Sequence, residues 1–226
     1  MSEVKYFALL KFGELPHLIS LRDKGHLHCK PLSYFADLED ECYRGDPLEK
    51  VNYIHNFDGA EIRIKDVDAP DSEYKMLGTA NTGVLHQSYG ICPGNLFCTY
   101  SFRLDKQELQ KEFIIPKECL KLGNHYLVIK DFEEFIKRVG QRLLKLNYQA
   151  RHGFVGYKNF SKFTGEKTVF EKDESFAFQK EHRIFITNPT DQPLDIEIGN
   201  LTDISEICLI EDEEHTISFV DNNSVD

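Results

Sequence analysis

The feature that most narrows the fold is the alternation that runs through residues 176–186. Phe176, Phe178, Lys180, His182, Ile184 and Ile186 fall on one side of an extended chain, and Ala177, Gln179, Glu181, Arg183 and Phe185 on the other. Successive strand side chains point to opposite faces, so this period predicts a β-strand and requires a sheet to hold it. Further strands are expected over residues 6–12, 26–29, 60–65, 96–102, 126–129, 154–157, 168–170, 194–198 and 207–210. Helices fall between them. Residues 15–24 carry Leu15, Leu18 and Ile19 on one side, and Gly25 is a natural C-terminal stop. Residues 31–38 suggest a second short helix. Residues 131–146 form the most regular helical pattern, with Phe132, Phe135, Ile136, Val139, Leu143 and Leu146 in register and Asp131 as N-cap.

Strands interrupted by helices give an α+β class. At 226 residues and 41% hydrophobic composition, the chain suffices for one sizeable core, so residues 1–210 read as a single domain. The remaining 211–226 hold acids and no Lys or Arg, and are expected to fray as a flexible tail. Residues 78–83 look like a mobile connection, and 66–72 like a loop. Six scattered cysteines form no CxxC pair, and the first residues lack the pattern of a secretory signal. No apolar run reaches the length of a membrane span. The expectation is a cytoplasmic protein with reduced thiols and no membrane partner.

A net charge of −11 conceals an asymmetry. Between Lys137 and Lys167 eight Lys/Arg stand against one acid, Glu166, interleaved with Tyr148, Phe154, Tyr157, Phe160 and Phe163. Cations among aromatic rings suit a surface that tracks phosphates and stacks bases, so RNA or DNA is an expected partner through 137–167. The alternative is an amphipathic helix with a Lys/Arg solvent face. The acidic tail is also a candidate cover for this block.

The chemistry centres on Gln179 and Glu181. Two apart on a strand, they leave the same face roughly 7 Å from one another. A carboxylate stabilises developing positive charge, and a neutral amide orients an acceptor. The alternative for Glu181 is an ion pair with Arg183 or a nearby lysine. Upstream, Lys11 closes the first strand, and Thr99-Tyr100-Ser101 closes a second. Cation, hydroxyl strand and QxE strand, in this order, resemble the Arg–Ser–Glu class of ADP-ribosyltransferases over residues 6–186. The helix and Gly25 after the first strand resemble the opening of DNA-modifying toxins in that superfamily. Arg44-Gly45-Asp46 with Glu49, together with residues 179–183, resembles a broad group of uncharacterised bacterial proteins.

That resemblance implies a split β-core of two small, mostly antiparallel sheets with flanking helices, and NAD as substrate in the cleft between them. It implies Glu181, Gln179 and Ser101 as catalytic residues. Lys11 or Arg44, with Thr99 and Tyr100, would hold the NAD. Phe176 would meet the acceptor in the turn before the motif, and Arg142, Lys145, Arg151 and Lys158 would bind it. A bacterial toxin or defence effector is the implied setting, with a protein acceptor or a neutralising partner also open. The sequence departs from the family in having Lys11 where an arginine is usual, a point charge in place of a bidentate fork, and Tyr100 where a small residue is usual. Rival expectations are a non-catalytic nucleic-acid-binding module, and a nucleic-acid-processing enzyme using Asp46 and Glu49 with a metal. No metal is expected for the transferase. His26, His28 and Cys29 read as a polar strand rather than a metal site, because His28 and Cys29 point to opposite faces.

Overall fold

The computed structural model describes residues 6–38, 44–91, 93–109, 111–211 and 214–219. In chain order the elements are β1 (Tyr6–Gly13), α1 (Leu15–Lys24), β2 (His26–Pro31), α2 (Leu32–Asp37), β3 (Val51–Ile64), β4 (Lys75–Ser88), β5 (Gly94–Leu104), β6 (Glu112–Ile114), α3 (Lys117–Leu120) and β7 (His125–Ile129). There follow α4 (Phe132–Lys145), β8 (Ala150–Phe154), β9 (Gly156–Lys158), β10 (Gly165–Glu166), β11 (Glu171–Asp173), a 3₁₀ helix over Glu174–Gln179, β12 (Glu181–Thr187), β13 (Leu194–Glu197), β14 (Ser205–Leu209) and β15 (Thr216–Ser218). The protein is α+β, with antiparallel sheets throughout except for the parallel pair β9–β11.

The centre is one eight-stranded sheet that forks at β5. One edge of β5 pairs with β12 from Gly94 to Tyr100, and β12 pairs with β8. The other edge serves two partners in succession. Residues 100–104 pair with β1, which leads to β7 and β14, and residues 95–96 pair with β2, which leads to β13. In place of the two small sheets expected of the core there is one eight-stranded sheet whose two wings diverge from a shared strand.

Alternation on these strands builds the core on both faces. Leu9, Phe97, Leu127, Ile129, Ile184 and Ile186 face α1 and α4, meeting Leu18, Leu21, Phe135, Val139 and Leu143. Leu10, Phe12, Tyr100, Phe102 and Tyr126 pack on the opposite side. The sheet is buried on both sides, which is why β1 and β5 read as apolar runs. The caps fall where the residues dictate. Gly25 adopts φ 65° at the end of α1, where a Cβ would lie 2.2 Å from the Gly199 carbonyl oxygen. Asp131 accepts a hydrogen bond from the Glu134 amide at 2.9 Å.

Four local expectations are corrected. Residues 78–83 are not a connection but part of β4, which pairs with β3 in a long two-stranded arm. The strand expected at 168–170 starts one turn later, as β11. The alternation from Phe176 is strand only from Glu181 onward. The tail does not fray throughout: Thr216–Ser218 pairs with β6, and Phe219 packs on Phe102 and Phe113. That packing lies across the sheet from α4, so the segment covers neither Arg142 nor Lys145. Residues 212, 213 and 220–226 lie outside the described residues, as do Cys42 and Cys92. Cys29, Cys98, Cys119 and Cys208 are free thiols. No helix of the described residues is long and apolar enough to cross a membrane.

Candidate functional site

Glu181 opens β12 and sits opposite Tyr100 of β5. It does not share a strand with Gln179. The chain arrives through the 3₁₀ helix, and Lys180 takes the left-handed conformation at φ 40° and ψ 46°. A non-glycine residue there is uncommon and carries a local backbone cost. The reversal still brings the two motif side chains together, by way of Lys172 on β11. Its ammonium donates to Gln179 Oε1 at 2.7 Å and to Glu181 Oε1 at 2.9 Å, and lies 4.7 Å over the Phe176 ring.

The second oxygen of Glu181 accepts from Arg183 Nε at 2.6 Å. Arg183, 1% exposed, turns its remaining nitrogens to Glu49 and to the Val169 carbonyl, the latter at 2.6 Å. Glu49 comes from the turn after Gly45. A Cβ on Gly45 would lie 2.0 Å from the Leu38 carbonyl oxygen, so only glycine lets the turn settle there. Asp46 anchors it, its amide donating to Phe35 O and its carboxylate accepting from the Leu48 amide, both at 2.9 Å. Three acids (Asp46, Glu49, Glu181) thus share the interior with three bases (Lys167, Lys172, Arg183). Of the six, Glu181 keeps contact with solvent, at 12% of its side-chain surface.

The balance of charge decides the protonation states. Burial pushes the Glu181 carboxyl up, but Arg183 and Lys172 outweigh it and hold the group down at about 2. It is therefore a carboxylate at any ordinary pH. Asp46 goes the other way, raised by burial and by Glu49. Burial lowers Lys167, against the pull of Glu49 and Asp46.

Beyond Tyr100, β5 runs on while its partner has ended. The Ser101 amide and hydroxyl both donate to Lys180 O, at 2.9 and 2.6 Å, and close the last contact between the two segments. The space beside residues 101–104 is a cleft of about 290 Å³, lined by Ser101, Arg103, Phe154, Tyr157, Lys180 and Glu181 among others. The Tyr157 hydroxyl accepts from the Glu181 amide at 2.9 Å and fixes the strand at the cleft wall. Arg103 and Lys180 are exposed cations here, which the sequence reading did not select.

No known family model, curated protein or solved structure matches this chain.

The other expected residues divide. Lys11 stands one residue past the row that joins Leu10, Tyr100 and Glu181, so it projects from the opposite sheet face. Its ammonium donates to Cys98 O at 2.8 Å and lies 4.7 Å over the Phe97 ring, within the fork between β1 and β2. There it satisfies a carbonyl where the sheet divides, and burial lowers its pKa. Lys11 is thus no clamp for a ligand beside Glu181. Arg44 is exposed and within electrostatic range of Lys11. Thr99 shares the Lys11 face and donates to His182 O at 3.3 Å. Tyr100 is core, packed on Phe12 and Phe102. Of the hydroxyl strand, Ser101 alone reaches the cleft.

The basic block does not form one surface. Arg142 and Lys145 ride on α4, whose apolar side packs beneath one sheet face. Arg151 pairs across from Phe185 and shares the other face with Glu181 and Arg183. Lys158 is ion-paired with Glu171, and Lys137 and Arg138 with Glu134. Glu49 is tied to Arg183, and no group of three His, Cys, Asp or Glu among the described residues is arranged to hold a metal. His26 and His28 both hydrogen-bond Asp195 Oδ1, at 2.9 and 2.6 Å. The residues missed in sequence were Lys172 and Lys167, which fall in strand-poor polar segments and gain their meaning by burial. Arg183 was visible in sequence as an ion-pair partner of Glu181, two residues away on the same strand face, and the pair forms; Glu49 was visible only as a charge beside the Arg44-Gly45-Asp46 turn.

Proposed function

We propose that this protein is an NAD-dependent ADP-ribosyltransferase that uses the cleft beside Glu181, transferring ADP-ribose to a macromolecular acceptor. The observation that carries the reading is that Glu181, held as a carboxylate, and Ser101 both line one cleft, although Ser101 stands one residue past Tyr100, the strand partner of Glu181. Breaking the bond between ribose C1′ and the nicotinamide nitrogen sends the electron pair out with neutral nicotinamide. No general acid is required, unlike ordinary glycoside cleavage. Positive charge builds on the ribose, and a fixed anion in a partly buried site stabilises it. Lys172 and Arg183 use one hydrogen bond on each Glu181 oxygen, and a carboxylate has further lone pairs for a ribose hydroxyl. Gln179 is fixed beside Glu181 by the bond from Lys172 to its carbonyl oxygen. Arg103 and Lys180 take the role at the diphosphate expected of Lys11 or Arg44. An acceptor nucleophile then closes on C1′ and releases its proton to solvent. Arg142 and Lys145 lie with α4 across the sheet from Glu181, so incubation with separate acceptor pools decides between nucleic acid and protein as acceptor.

A second reading has its own observation. Both Glu181 oxygens already serve a buried ion network, which is also what a purely structural carboxylate would do. The chain would then be a non-catalytic binding module. Incubation with labelled NAD and separate RNA, DNA and protein pools separates the two, with nicotinamide release as readout. The transferase reading expects release by the wild type and at least about a hundredfold less from Glu181→Gln, with the fold checked by circular dichroism. Absence of release with every pool favours the module, and equal rates from wild type and variant remove Glu181 from the chemistry.

A further inference from the structure

A second cleft, of about 320 Å³, lies where the root of the β3–β4 arm meets β8 and the segment 166–169. Its walls carry Asn52, Tyr53, Gln87, Tyr89, Arg151 and Lys167. The set is unlike a stray surface hollow in three ways. First, the Arg151 guanidinium has no hydrogen bond or ion pair with a described residue; it rests 5.6 Å from the Phe185 ring and 6.0 Å from that of Phe170. Stacked on aromatic carbon, it is oriented while all its donors remain available.

Second, buried atoms without partners gather here. Lys167 is 2% exposed and its Nζ has no hydrogen-bond partner among the described residues; the same holds for Asn52 Oδ1. The Lys167 amide donates to Asn52 O at 2.8 Å, so the two stand side by side at the junction of the arm. Both atoms are closed off from solvent, so they lie behind the cleft wall, with Lys167 in electrostatic range of Glu49 and Asp46; an unmatched buried polar group costs about 1–3 kcal/mol. Third, the lining is chemically divided. Arg151 is a donor for a phosphate, with Glu166 the acid on the same wall, whereas two tyrosine rings and the Gln87 amide suit a planar base with hydrogen-bonding edges. The volume falls at the small-molecule end of ligand sites.

We propose that this cleft binds a phosphate monoester carried on an aromatic base, the chemistry of a nucleoside monophosphate. Arg151 holds the phosphate, and Tyr53 and Tyr89 flank the base. The site is separate from the Glu181 cleft, and the two touch opposite sides of one network, since Val169 lines the second cleft and accepts from Arg183. The inference therefore does not depend on transferase activity.

The test is calorimetric titration of the full chain with AMP, GMP, CMP, UMP and inorganic phosphate. At least one nucleotide binds, and Arg151→Gln weakens both it and phosphate by about tenfold or more. Tyr53→Ala weakens the nucleotide and leaves phosphate unchanged. Gln87→Ala, at the exposed arm root, serves as a second variant should Arg151→Gln unfold. The proposal is overturned if no nucleotide binds, or if binding is undiminished in both Arg151→Gln and Gln87→Ala. Binding that survives Arg151→Gln but is lost in Arg103→Gln places the nucleotide in the Glu181 cleft, and also overturns it. Inorganic phosphate binding as tightly as every nucleotide removes the base from the site.

Discussion

His182 shows how far a single residue departs from its ordinary chemistry. It is 1% exposed, packed among Phe132, Phe154 and His152, with His152 Nδ1 3.1 Å from its Nε2. Burial, with a further push from His152, lowers its pKa to about 3, and burial lowers His152 too. In the unfolded chain the same imidazole takes a proton near pH 6.5. The unfolded state therefore binds more protons between about pH 6.5 and 3, and the stability contributed above 6.5 is lost as pH falls through that window. Glu181 adds a loss of the same sign only below its unfolded value of 4.5 and down to about 2, while Asp46, raised by burial, opposes it. Urea denaturation is expected to show a loss of about 2 kcal/mol between pH 7 and pH 5 for one such proton, the slope approaching about 1.4 kcal/mol per pH unit below pH 6. His182→Gln should remove most of that slope; a slope unchanged in the variant would mean the imidazole titrates normally.

At the scale of elements, the site depends on pieces that are short and irregular. The turn around Asp46 and Glu49, the 3₁₀ helix and β11 each contribute one or two side chains to the ion network, and none has a strong local signal. Gly45 is the most exposed joint in this arrangement. Gly45→Ala forces a methyl group onto Leu38 O, so the turn has to move and carry Glu49 away from Arg183. A loss of about 1–3 kcal/mol in unfolding free energy is expected and, on the proposed transferase reading, reduced nicotinamide release. A crystal structure of Gly45→Ala with the Glu49–Arg183 pair intact would refute the argument. The contrast with α4 is instructive. That helix was legible from residue spacing and its Asp131 cap because helices are held by near neighbours. The Phe176 alternation misled because five residues of it are absorbed by a turn whose geometry follows from Lys172, not from period.

For the whole molecule, the arm is the main departure from a closed core. β3 and β4 pair over fourteen residues each, a span of roughly 45 Å at 3.3 Å per residue. Beyond Val51 and Ile54 its side chains are mostly exposed, including Ile62, Met76, Leu77 and Leu85. Replacing 57–83 with a two-residue turn is expected to leave the Tm within a few degrees, since the core clusters draw nothing from that stretch. A collapse of the cooperative transition would show that the distal arm supports the fold. The sequence by itself determined the α+β class, α1 and α4 with their caps, the apolar strands β1, β5 and β7, and Glu181 as the carboxylate to watch. Each of these rests on neighbours within a turn or on a period of two. Tertiary structure alone decided that Lys11 plugs a fork in the sheet, that the basic block is divided between two faces, and that Lys172 and Glu49 join the Glu181–Arg183 pair that strand spacing already offered. Those outcomes depend on which strands become neighbours and on which charges burial forces together, and neither is encoded in local spacing.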